Sequence, residues 1–133
     1  MHFTTLLITL ATTLGSVSAG INCNGSGNCP GIVGDVDGII NLASEIDDNR
    51  VYQNHENIVC IQSALGNGLC AFLQNTGGIR GDTIKSLVAQ LKGHGCKKCG
   101  SIPVFFPSDN SESAHGILTI NAVTSTHGCD GVC

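Results

Sequence analysis

The chain has 133 residues, eight cysteines and a net charge of −4. That length holds one domain and leaves no room for a separate cofactor domain. The acidic balance argues against a nucleic-acid binder that reads phosphates through a basic patch. Eight cysteines in so short a chain point instead to an exported, cross-linked fold.

Residues 1–19, MHFTTLLITLATTLGSVSA, contain no Lys, Arg, Asp or Glu. The apolar core Leu6 to Leu14 is too short for a membrane anchor and is broken by threonines. Val17-Ser18-Ala19 supplies the small residues a signal peptidase inspects, so cleavage is expected after Ala19 and the mature domain over 20–133. The expected location is extracellular, without membrane insertion.

Gly20 to Cys23 is a short strand candidate, followed by a loop, Asn24 to Asn28, between two cysteines. Asn24-Gly25-Ser26 is an N-glycosylation sequon. Asp35-Val36-Asp37-Gly38 resembles the opening of a calcium loop, but Ile39 and Ile40 follow where oxygen ligands would be needed. The aspartates therefore read as helix-start signals. Ile39, Leu42, Ala43 and Ile46 repeat with helical spacing, and Asp47-Asp48-Asn49 close that helix. Residues 50–57 read as loop. Ile58 to Ile61 and Leu69 to Leu73 flank the Gly66-Asn67-Gly68 turn and predict a hairpin. A second helix is expected from an Asp82 N-cap through Ile84, Leu87, Val88 and Leu91 to Gly93. Ser101 to Phe106 reads as a strand, 108–115 as a polar loop, and Ile117 to Val123 as a strand. The order β-α-β-β-α-β-β predicts an α+β sandwich, with both helices on one face of an antiparallel sheet.

All eight cysteines, Cys23, Cys29, Cys60, Cys70, Cys96, Cys99, Cys129 and Cys133, lie beyond the leader. Four disulfides are the default in an oxidising compartment, with 105 possible pairings. Cys96-Lys97-Lys98-Cys99 has the CxxC spacing of thiol oxidoreductases, but it follows a helical pattern instead of opening one. A four-thiolate zinc site from Cys23, Cys29, Cys96 and Cys99 conflicts with export and with the five-residue gap between the first two.

No catalytic set emerges. There is no G-x-S-x-G elbow, no H-E-x-x-H and no Walker loop. His55, His94, His115 and His127 are dispersed, and Asp47-Asp48 suggests no apolar pocket for a glycosidase pair. No cofactor and no metal are expected. The pattern is that of a rigid scaffold acting through its surface and not as an enzyme.

Three fragments add to this reading. Gly20-Ile21-Asn22-Cys23-x-Gly25-Ser26-x-x-Cys29, His94-Gly95-Cys96-x-x-Cys99-Gly100-Ser101-x-Pro103 and Gly116-x-Leu118-Thr119-x-Asn121-x-Val123 occur in order along the chain. Together they resemble the killer protein 4 family, the virus-encoded killer toxin of a smut fungus and its fungal relatives. The resemblance implies a five-stranded antiparallel sheet with two helices on one face. It also implies disulfides Cys23–Cys96, Cys29–Cys99 and Cys60–Cys129, which leaves Cys70–Cys133. The implied activity is growth inhibition of competing cells by non-enzymatic block of voltage-gated calcium channels. The partner would be a membrane protein of the target cell, and the toxin a monomer.

Two departures stand out. The family's smut-fungus toxin is basic, whereas this chain is acidic. That toxin also carries an important lysine two residues before the cysteine matching Cys60, where this chain has Ile58. Lys97 and Lys98 are the best remaining basic presentation for a channel mouth.

Overall fold

The computed structural model describes residues 20–133. The expected leader, 1–19, and its cleavage site lie outside the described residues. Helix α1 spans Val36–Ala43 and helix α2 Gly81–His94. Strands β1 (Val51–Tyr52), β2 (Val59–Gln62), β3 (Gly68–Gln74) and β4 (Ile79–Arg80) lie between them. Strand β5 (Gly100–Pro103), the single turn α3 (Glu112–His115), and strands β6 (Ile117–Val123) and β7 (Gly131–Val132) follow α2.

Five strands form one antiparallel sheet in the order β5-β6-β3-β2-β7. Leu69, Ala71 and Leu73 of β3 alternate with residues of the opposite face, and with Val59, Ile102, Leu118 and Ile120 they belong to a single apolar core. The helices supply the facing layer. Val36 and Ile39 of α1 and Ile84, Leu87, Val88 and Leu91 of α2 are at most 2 % exposed and join the same core. Burying each such side chain is worth about 1.5–3 kcal/mol. The two helices touch each other, α1 over the β2–β7 side and α2 over the β5–β6 side. This is the disulfide-stapled α+β sandwich that the sequence predicts.

Several boundaries differ, each for a physical reason. The Gly20–Cys23 strand is reduced to one bridge between Asn22 and Ser101. The fifth strand is β7 instead, whose two residues pair with Val59 and Cys60. Residues 50–57, read as loop, contain β1, which pairs with β4 in a small second sheet. The isolated pair is too short to show period-2 alternation. Helix α1 stops at Ala43, before the acidic run. Its N-cap is Asp35, whose carboxylate accepts from the Gly38 N–H at 2.9 Å. Ile46 lies past the helix end yet is buried, 4 % exposed.

Helix α2 starts one residue before Asp82, because its first turn docks on the preceding loop. Gly81 N–H donates to Arg50 C=O (2.9 Å) and Asp82 N–H to Asp48 C=O (3.1 Å). A Cβ at Gly81 would stand 2.1 Å from the Asp47 carbonyl oxygen. The helix runs past Gly93 to a left-handed Gly95 (φ 110°), whose N–H bonds back to the last turn. Strand β5 ends at Pro103, not Phe106, and the stretch 108–115 includes α3, capped by the Ser111 hydroxyl.

Candidate target-binding surface

The first staple site lies at the end of α2. Cys23–Cys96 and Cys29–Cys99 tie the N-terminal segment to the loop between α2 and β5. These are two of the pairs that the resemblance implies. Gly25 lies against the second of them, where a Cβ would stand 2.6 Å from both Cys29 Sγ and Cys99 Cβ. No side chain fits there, so the N-terminal segment packs flat against the second bridge.

The other two implied pairs are replaced. In place of Cys60–Cys129 and Cys70–Cys133, the structure has Cys60–Cys70 and Cys129–Cys133. Cys60 and Cys70 sit directly opposite each other in the β2–β3 register, with Cα atoms 4.2 Å apart. Cys129 and Cys133 flank β7 with Cα atoms 5.7 Å apart. Each cysteine thus bonds a neighbour delivered by local structure.

The doubly stapled loop carries Lys97 and Lys98, and the structure separates them. Lys98 is half-buried, and its Nζ donates to the Ile32 carbonyl at 2.6 Å. It fastens the loop to the segment before α1. Lys97 is exposed, while its own carbonyl accepts from Val36 N–H at 2.8 Å, the first N–H of α1. The backbone under Lys97 is therefore fixed although its side chain is free.

The other cations are engaged. Arg50 pairs with Glu56, Arg80 with Asp82, Lys85 with Asp48 and Lys92 with Asp37. The Arg80 hydrogen bond holds the Asp82 carboxyl below its ordinary pKa, and Asp82 in turn raises that of Arg80. Among the described residues, Lys97 is the one lysine or arginine whose side chain makes neither an ion pair nor a hydrogen bond.

Beside Lys97 is a groove of about 460 Å³, lined by Asp35, Val36, Asp37, Lys92, Cys96 and Lys98 among others. Asp35 is occupied as the α1 N-cap and Asp37 by Lys92 at 2.7 Å. The surface can thus offer one unpaired ammonium on a rigid loop above a mixed-charge groove. Ile58 is fully buried, so its side chain is not presented to a partner.

Asn24 is exposed next to Cys23. In its sequon Ser26 is half-buried, its N–H bonded to Asn121 Oδ1 (2.9 Å) and its hydroxyl accepting from Asn28 N–H (3.2 Å). Sequence reasoning missed the tip of the β2–β3 hairpin, where Leu65 is 91 % exposed. Hydrogen bonds between Ser63 and Asn67 and from Gly66 N–H to Ser63 C=O hold that tip. The Gly66-Asn67-Gly68 signal located the turn, but a lone Leu before it gives no warning of exposure.

The Kp4 family profile matches residues 6–124. A KP4 killer toxin of Ustilago maydis P4 virus is 33 % identical over 117 residues, covering 81 % of this chain and 83 % of that protein. With the fold, the N-terminal staples and the three motifs in place, the chain belongs to the Kp4 killer-toxin family.

Proposed function

We propose that the chain is an exported killer-type toxin that halts the growth of competing fungal or plant cells by blocking calcium entry, without catalysis. Lys97 is the cationic contact with a membrane channel of the target cell, and Lys98 holds the loop that presents it. The observation that carries this reading is the Lys97 ammonium, unpaired among the described lysines and arginines, on a loop fixed by two disulfides. Rings of carboxylates or carbonyls at cation-channel mouths are complementary to such a group. A preorganised loop spends little conformational freedom on binding. Family membership and four disulfides support both toxicity and export.

The test is calcium uptake and growth of susceptible cells given purified protein, with Lys97→Gln and Lys98→Gln alongside. Lys97→Gln should abolish the block while keeping the wild-type melting temperature. Wild-type protein that leaves uptake and growth unchanged overturns the proposal.

The burial of Ile58 and the acidic net charge favour a second reading, a secreted surface-binding effector that is not toxic. In that case the protein binds the cell surface with no effect on growth, and Lys97→Gln lowers binding alone.

A further inference from the structure

The two C-terminal disulfides are packed against each other. The Sγ atoms of Cys60, Cys129 and Cys133, drawn from both bridges, all lie within 4.8 Å of one another. Strand β7 brings them together: Gly131 pairs with Cys60, and Cys133 N–H donates to Ile58 C=O at 3.0 Å. Access is graded. Cys60 and Cys70 are fully buried, Cys129 is half-buried and Cys133 is exposed. A solution thiol cannot reach the cross-strand bridge directly but can reach the terminal one.

We propose that Cys133 is a modification site for small thiols and that Cys129 relays the exchange to the buried Cys60–Cys70 bridge. An external thiolate of the glutathione class attacks Cys133 Sγ. A new S–S bond forms to Cys133, the Cys129–Cys133 bond breaks, and its electron pair leaves as the Cys129 thiolate. That thiolate attacks the adjacent Cys60 Sγ. The Cys60–Cys129 bond forms, the Cys60–Cys70 bond breaks, and the Cys70 thiolate leaves and takes a proton. One external thiol is consumed, two disulfides remain, and one thiol appears at Cys70, so the step is exchange without net reduction. The new bridge joins residues far apart in sequence and restricts the unfolded chain more than the local bridge it replaces. The product is a thiol-capped Cys133, a sheet tied to the C-terminal loop, and a hairpin no longer stapled at its base.

The oxidised native protein is incubated with reduced glutathione, quenched with iodoacetamide, and its disulfides are mapped by mass spectrometry. Glutathione on Cys133, a Cys60–Cys129 linked peptide and the alkyl label on Cys70 support the relay. An alkyl label on Cys129 with Cys60–Cys70 intact overturns it. So does an untreated protein that lacks the Cys60–Cys70 and Cys129–Cys133 pairs. In a Cys129→Ser/Cys133→Ser variant, labelling of Cys70 should slow by about tenfold or more, because the entry sulfur is gone. An unchanged rate in a variant with wild-type circular dichroism also overturns the relay. If the variant does not fold, the wild-type map decides.

Discussion

Removing the N-terminal staples one at a time and together tests how they share the work. Cys23–Cys96 and Cys29–Cys99 close nearly the same span, with sequence separations of 73 and 70. The chain-entropy relation gives about 4.4 kcal/mol for the first long closure, whichever bridge makes it. Once one exists, the other closes only a small ring of about nine residues, made of the Cys23–Cys29 and Cys96–Cys99 segments, worth about 2.6 kcal/mol. Replacing either pair by alanine should therefore cost about 2.6 kcal/mol, while replacing both should cost about 7 kcal/mol. The double loss exceeds the sum of the single losses by about 1.8 kcal/mol, a coupling large enough to resolve in a double-mutant cycle. Urea denaturation followed by circular dichroism provides the free energies, provided the slopes agree among variants. Either single variant should keep Lys97 in place and so retain the proposed toxicity, whereas loss of both bridges should abolish it. Strict additivity would refute the shared-loop reasoning and show that the bridges act through native packing.

The two adjacent lysines should behave oppositely. Lys98→Ala removes a charged donor from the Ile32 carbonyl and should cost about 1.5–3 kcal/mol in denaturant unfolding, while Lys97→Ala should stay within about 0.5 kcal/mol of wild type. Gly81→Ala drives a methyl into the Asp47 carbonyl and should cost about 1–3 kcal/mol or more, visible as a lower melting temperature. The Asp109 carboxyl is held below its ordinary pKa by its hydrogen bond to the His115 ring and then by the Ser111 N–H. Its folded value is the lower one, so this stabilisation is present above the unfolded carboxyl's pKa of about 3.9 and is lost as pH falls through the folded value. The destabilisation by Asp109→Asn should accordingly shrink on acidification below about pH 4, as followed by thermal melts at stepped pH.

Local pattern carried much of the architecture. The four apolar positions of α2 repeat at helical spacing, and all of them are buried. The glycine-marked turn fixed the β2–β3 hairpin, because a tight reversal leaves antiparallel pairing as its direct outcome. The density of cysteines signalled a cross-linked fold before any pairing was known. The motif resemblance linked Cys23 to Cys96 and Cys29 to Cys99, since the residues around those four match the family in order.

Tertiary structure decided what local pattern leaves open. Val51 with Tyr52, and Gly131 with Val132, are strands only because a distant partner lies alongside them, and two residues have no period to read. Cys60 bonds Cys70 because strand register places their Cα atoms opposite each other, a relation that the family motifs do not contain. Lys97 and Lys98 are indistinguishable as sequence. One becomes a free ammonium and the other an internal tether because the Ile32 carbonyl, 66 residues away along the chain, lies within reach of only the second. Composition, spacing and periodicity are properties of neighbours in the chain and survive in the sequence. The partner of a short strand, a sulfur or an ammonium is set by atoms brought close only when the core collapses.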